Sequence, residues 1–150
     1  MKITILEDSS TQEVEITIHC KKTDSQILRM IASLRSFDRT ITGTKDGQTF
    51  LLLPNDILYI ESVDKKTFIY TLSDIYESPL RLYEFEERLA GDGFFRASKS
   101  SVVNLAGVRS LRPDFGGRLI LTLNSGEKMT VSRQFAGTVK QKLGLGGNTL

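Results

Sequence analysis

The 150-residue chain has no tryptophan, one histidine (His19), one cysteine (Cys20) and three prolines. A single cysteine excludes an internal disulfide and suits a reducing compartment. His19 and Cys20 are neighbours on a segment whose apolar residues alternate. Adjacent strand residues point to opposite faces, so the two cannot pair as base and nucleophile. Glycine-rich phosphate loops, nucleophile elbows and metal-ligand clusters are missing too. Neither catalysis nor a metal, a cofactor or a small-molecule substrate is therefore expected. No apolar run is long enough to cross a bilayer, and Met1-Lys2 leads straight into Ile3-Thr4-Ile5-Leu6-Glu7-Asp8 rather than a signal peptide. The expectation is a cytoplasmic chain. At 39% apolar residues, it can build one domain with a real core.

What is present is polarised in charge. Residues 1–93 hold 11 Lys/Arg against 16 Asp/Glu, a balance of −5, while residues 94–150 hold 9 against 2, a balance of +7. A basic half attracts polyanions over long range. The same cations could equally be solvated side chains scattered over strand faces, and charge alone leaves both readings open.

Short strands dominate the pattern. Val14, Ile16 and Ile18 alternate with Glu15, Thr17 and His19, so residues 2–6 and 14–20 read as a hairpin. Thr23 and Gln26 have capping-box spacing, and Ile27, Met30, Ile31 and Leu34 follow at helical spacing, giving a helix over 25–36. After a junction at 37–39, strands are expected at 40–45 and 48–53 around Asp46-Gly47, then at 57–63 and 67–72 around Asp64-Lys65-Lys66, and at 75–77. Ser78-Pro79 reads as the N-cap and first residue of a short helix carrying Leu82, Phe85 and Leu89. Glu84, Glu86 and Glu87 would be its solvated side. Further strands at 107–112, 118–123 and 127–131 lead to a last helix that Ser132 can cap. Cys20 is expected to be a small buried residue. No strand–helix–strand rhythm repeats, so the fold class is α+β, mostly antiparallel β, with about three helices: N-terminal, central and C-terminal.

The run Phe94-Phe95-Arg96-Ala97-Ser98-Lys99-Ser100-Ser101-Val102-Val103-Asn104, the later Val131-Ser132-Arg133 and the earlier Ile57-Leu58-Tyr59-Ile60-Glu61-Ser62 carry a resemblance. Over residues 40–143 the chain resembles the LytTR DNA-binding domain of bacterial transcription regulators. The resemblance implies an elongated antiparallel β fold whose loops enter successive major grooves, with no recognition helix. It implies a sequence-specific, double-stranded DNA-binding regulator, occupying direct-repeat promoter sites as two copies. The organisation then expected is an N-terminal extension over 1–39, the DNA-binding domain over 40–145 and a flexible tail over 146–150. With about 40 residues ahead of it, the domain is expected to lack a phosphorylatable receiver. Such standalone members are in some cases encoded beside a small integral-membrane protein that restrains them. Segment 1–39 would dimerise or dock that partner, or else cover a sheet edge.

The site residues implied are Lys65, Lys66, Arg96, Ser98, Lys99, Ser100 and Arg133. Lys66 is favoured over Lys65 as the hairpin contact. Ser98 stands where the family commonly has His and so has less reach. Lys99 replaces Arg, which retains the charge without the fork that grips guanine. Arg133 matches and can fork onto a base edge or phosphate. Arg96 either clamps a phosphate or pairs with an acidic neighbour. Asn104 is expected to tie down a loop, Glu61 to partner a cation, and Phe94, Phe95 and Phe135 to be core. Lys140 and Lys142 would add long-range attraction only. The alternative is a protein–protein interaction module or anti-activator with weak DNA binding, for which Ser98 is the main support.

Overall fold

The computed structural model describes residues 1–145, the side chains of 36–38 excepted, so the expected tail over 146–150 lies outside the described residues. The chain divides into two units, Met1–Leu34 and Arg35–Leu150. No helix among the described residues is long and apolar enough to cross a membrane.

In the first unit the expected hairpin is replaced by an irregular, unpaired chain over residues 1–24. Only its turn forms, with the Ser10 amide and hydroxyl donating to Asp8 Oδ1 at 2.9 and 2.7 Å. An isolated two-stranded ribbon is marginal in water because its apolar side has nothing to bury against. Accordingly Ile3, Ile5, Leu6, Val14 and Ile16 all stay exposed. Cys20, expected to be buried, is exposed as well. Helix α1 (Ser25–Asp38) follows. Its cap falls one residue after the expected Thr23, since Asp24 Oδ1 accepts from the Ile27 amide at 3.0 Å.

The second unit alternates strands with two helices: β1 (Ile41–Lys45), β2 (Gln48–Leu52), β3 (Ile57–Val63), β4 (Lys66–Thr71), β5 (Ile75–Ser78), α2 (Leu82–Arg88), β6 (Phe94–Ser98), β7 (Ser101–Asn104), β8 (Val108–Pro113), β9 (Leu119–Leu123), β10 (Lys128–Val131) and α3 (Arg133–Lys142). The strands form a seven-stranded sheet, ordered β2-β1-β5-β4-β3-β7-β6, and a three-stranded sheet, ordered β10-β9-β8. Every pairing is antiparallel. Asp46 and Gly47 close the first hairpin with φ of 52° and 74°, the left-handed pair a two-residue turn requires. Ser78 does not cap α2. It stays in β5, paired with Thr67, and the helix begins at Leu82, where Glu84 accepts from the Arg81 amide at 2.7 Å.

Two apolar cores occupy opposite faces of the large sheet. Side chains alternate across a strand, so consecutive residues are divided between them. Phe94 and Val102 pack with Ile57, Ile60 and Ile69 around Phe85 of α2 and Leu89 at its C-cap. Phe95 and Val103 pack with Leu119, Leu121 and Leu123 and with Ala136 and Val139 of α3. Phe94 and Phe95 are thus core, as expected, and Phe135 packs partly buried against the second cluster. This double burial explains why Phe94-Phe95 and Val102-Val103 are consecutive apolar pairs rather than alternating with polar residues.

Candidate nucleic-acid interface

Three loops carrying the predicted site residues meet at one end of these sheets. The β3–β4 hairpin closes with Val63 opposite Lys66, and the β6–β7 hairpin with Ser98 opposite Ser101. Their bases are joined, since the Ser62 amide donates to the Ser100 carbonyl at 2.8 Å. On the other side, the Ser132 amide donates to the Ala97 carbonyl at 2.9 Å, tying the β10–α3 junction to the end of β6. Ser132 occupies the N-cap position of α3 but caps with no side-chain bond; its main chain fixes the junction instead. Lys65, Lys66, Ser98, Lys99, Ser100 and Arg133 are therefore brought together on one edge, held by backbone bonds from below.

Within this edge the cations fall into two groups. Arg96 is engaged by the protein: Nε donates to the Ser98 carbonyl at 2.8 Å, an Nη to the Lys99 carbonyl at 2.7 Å, and the other Nη meets Glu86 at 3.0 Å. Of its two expected roles, the ion pair with an acidic neighbour is the one present. Glu86 is accordingly a partner rather than a merely solvated charge. One rigid fork thus sets the course of the Ser98–Ser101 turn. Ser98 completes it, accepting from the Ser100 amide at 3.1 Å and bonding the Ser101 hydroxyl at 2.8 Å. Lys65, Lys66, Lys99 and Arg133, by contrast, are exposed, and among the described residues none has a side-chain hydrogen bond or ion pair. Lys65 has φ of 66° at the tip, with Lys66 the first residue of β4, so either can project outward. Lys142 lies at the far end of β6, donating to the Phe94 carbonyl at 3.2 Å.

Arg96→Ala is expected to lower stability by about 1–2 kcal/mol, because the two carbonyls return to water while a partly exposed ion pair is lost. Arg96→Lys should not restore it, since one ammonium cannot serve three divergent acceptors. Thermal melts of the three proteins check this, and equal midpoints would refute the clamp.

Beneath the edge, polar groups brace the two sheets. Asn104 is buried as a tie: its amide donates to the Ile57 carbonyl at 2.9 Å and its oxygen accepts from the Ala106 amide at 3.0 Å. Tyr59, stacked on Tyr70 with centroids 4.3 Å apart, donates from its hydroxyl to Glu127 at 2.9 Å. Burial, aided by Glu127, pushes the Tyr59 hydroxyl far above its ordinary pKa, so it stays a neutral donor. Glu61, expected to partner a cation, instead sits by Tyr70 and is in no ion pair among the described residues.

One element at this edge escaped sequence reading. The β8–β9 connection, residues 114–118, appears in the sequence only as a linker, yet it packs on Arg133. A Cβ added at Gly117 would lie 3.1 Å from Arg133 Cγ and 3.3 Å from Cδ. The available signal was Phe115-Gly116-Gly117, where both glycines take left-handed φ of 73° and 77°.

Residues 47–144 match the family model described as the LytTr DNA-binding domain. The transcriptional regulatory protein YpdB of Escherichia coli (strain K12) is 38% identical over 84 residues, covering 56% of this chain and 34% of that protein. The match thus spans about a third of the length of YpdB. An uncharacterized HTH-type transcriptional regulator of Staphylococcus aureus (strain MRSA252) is 25% identical over 147 residues, covering 97% of this chain and 99% of that one. Despite that relative's name, the three α-helices described here are separated from one another by strands. A solved LytTr DNA-binding domain, from a methyl-accepting/DNA response regulator of Bacillus cereus, superposes with a TM-score of 0.67 at 26% identity, covering 71% of this chain and 97% of that one. This is a family of DNA-binding regulator domains, not of enzymes, and the expected antiparallel α+β fold is the one observed. The chain belongs to the LytTR DNA-binding domain family.

Proposed function

We propose that this DNA-binding transcriptional regulator reads double-stranded DNA sequence-specifically through the loop edge, with Arg133 and Lys99 at base edges and Lys65 or Lys66 at a neighbouring groove. The observation that carries this is the set of exposed, unpaired cations held on one backbone-braced edge, whereas Arg96 spends its donors inside the protein. Arg96, Ser98 and Ser100 position the loop that presents Lys99. Resemblance to the family supports two copies on direct-repeat promoter sites, a cytoplasmic location and restraint by a small integral-membrane partner. Residues 1–39 would dimerise, dock a partner or cover a sheet edge, and similarity to the staphylococcal regulator, which covers 97% of this chain, supports their belonging to the same protein as the DNA-binding domain. The interaction-module alternative is not favoured, because the family match and the named relatives are all DNA-binding or transcriptional.

The test is a gel shift with duplex from upstream of the protein's own operon. Binding should resist random competitor and weaken steeply with salt, by a log–log slope near −0.9 for each phosphate neutralised. Equal competition by random duplex would remove sequence specificity from the proposal, and no shift at any salt would remove DNA.

A further inference from the structure

We propose that the β8–β9 loop is an additional DNA contact, apolar in character, in which Phe115 packs on the duplex beside Arg133. This rests on the reading that the loop edge meets DNA. Phe115 is 87% exposed, while Phe50, Phe68, Phe85, Phe94, Phe95 and Phe135 are all buried or half-buried. Its exposure is not that of a slack loop. The Asp114 amide donates to the Arg118 carbonyl at 2.9 Å, Arg118 Nε donates to the Phe115 carbonyl at 3.0 Å, and Arg118 pairs with Asp114 at 3.3 Å. An aromatic ring is therefore held out into water on a braced tip, where any polar residue would be better solvated.

The place of this tip identifies its occupant. Gly117 lies against the aliphatic stem of Arg133, so closely that a larger residue would displace it. Phe115, two residues before Gly117, therefore stands on the same edge as Arg133. The tip also carries no uncompensated charge, because Asp114 offsets Arg118. Set in a row of unpaired cations, it supplies what they cannot: contact with the apolar parts of a duplex, its thymine methyls and deoxyribose rings. Counterion release takes no part in such a contact, so its signature differs from that of the cations.

Phe115→Ala and Phe115→Leu would be compared with the unaltered protein on the cognate duplex, by fluorescence anisotropy across a salt series. Phe115→Ala should bind about tenfold more weakly, the size expected for part of an aromatic side chain leaving water, with the salt slope unchanged. Phe115→Leu should keep most of the affinity. Replacing footprint thymines by deoxyuridine then distinguishes the two sources: a position costly to the unaltered protein but neutral to Phe115→Ala marks a methyl, and persistence of the tenfold loss without such a position marks the sugars. Normal binding by Phe115→Ala would overturn the inference alone, whereas failure of the unaltered protein to bind any duplex would overturn the reading beneath it. A changed oligomeric state of Phe115→Ala without DNA would also overturn it, by assigning the ring to a protein partner. Melting temperatures should agree among all three proteins, since the ring packs on nothing in the free protein.

Discussion

Arg133→Ala will bind the cognate duplex roughly 10- to 100-fold more weakly and will lose preference at one base position. Arg133 is exposed, takes part in no ion pair, and leaves a junction tied to β6 by the Ser132–Ala97 bond. Its stem rests on Gly117, which limits how far the guanidinium can swing. A fork aimed in this way can make two parallel bonds to a guanine edge, and the wrong base leaves those donors unsatisfied. Arg133→Lys keeps the charge and should recover non-specific affinity without recovering base preference. Binding measured against duplexes mutated one position at a time checks this. An equal loss on specific and random DNA would reassign Arg133 to a phosphate.

Phe95→Ala is expected to destabilise the second unit by about 3–5 kcal/mol, the usual cost of emptying a buried aromatic site. Phe95 is 2% exposed and lies in the core shared by the large sheet, the small sheet and α3. That loss is a large share of the roughly 5–15 kcal/mol that holds a domain of this size together. Urea denaturation measures it, and a loss under about 1 kcal/mol would show that the two sheets do not depend on this packing. Any fall in DNA binding by this variant should track the unfolded fraction. Phe115→Ala should show the opposite combination, weaker binding with an unaltered melt, so the two phenylalanines separate packing from contact.

Much of the second unit was legible because its signals are local. The Asp64-Lys65-Lys66 turn signal placed β3 over its observed span, and Asp46-Gly47 forced a left-handed turn. Leu82, Phe85 and Leu89 marked the buried side of α2. The failures are also instructive. Alternation at residues 14–20 is regular, yet no ladder forms, since a strand needs a partner with something to cover its apolar face. Ser78-Pro79 resembles a helix start, but pairing with Thr67 keeps Ser78 in the sheet. For the candidate site, the residues of the three loops could be named from their order along the chain. Their division into engaged and available cations could not.

The sequence by itself determined an antiparallel α+β chain with a basic C-terminal half, because periodicity, turn chemistry and charge are properties of neighbouring residues. Only the tertiary structure decided that Arg96 braces a loop while Arg133 stands free, and that Phe115 shares the edge with it. Those outcomes depend on contacts between residues far apart in the chain, such as Glu86 with Arg96 across α2 and β6 or Ser132 with Ala97, and no local pattern encodes which distant acceptor a side chain will reach.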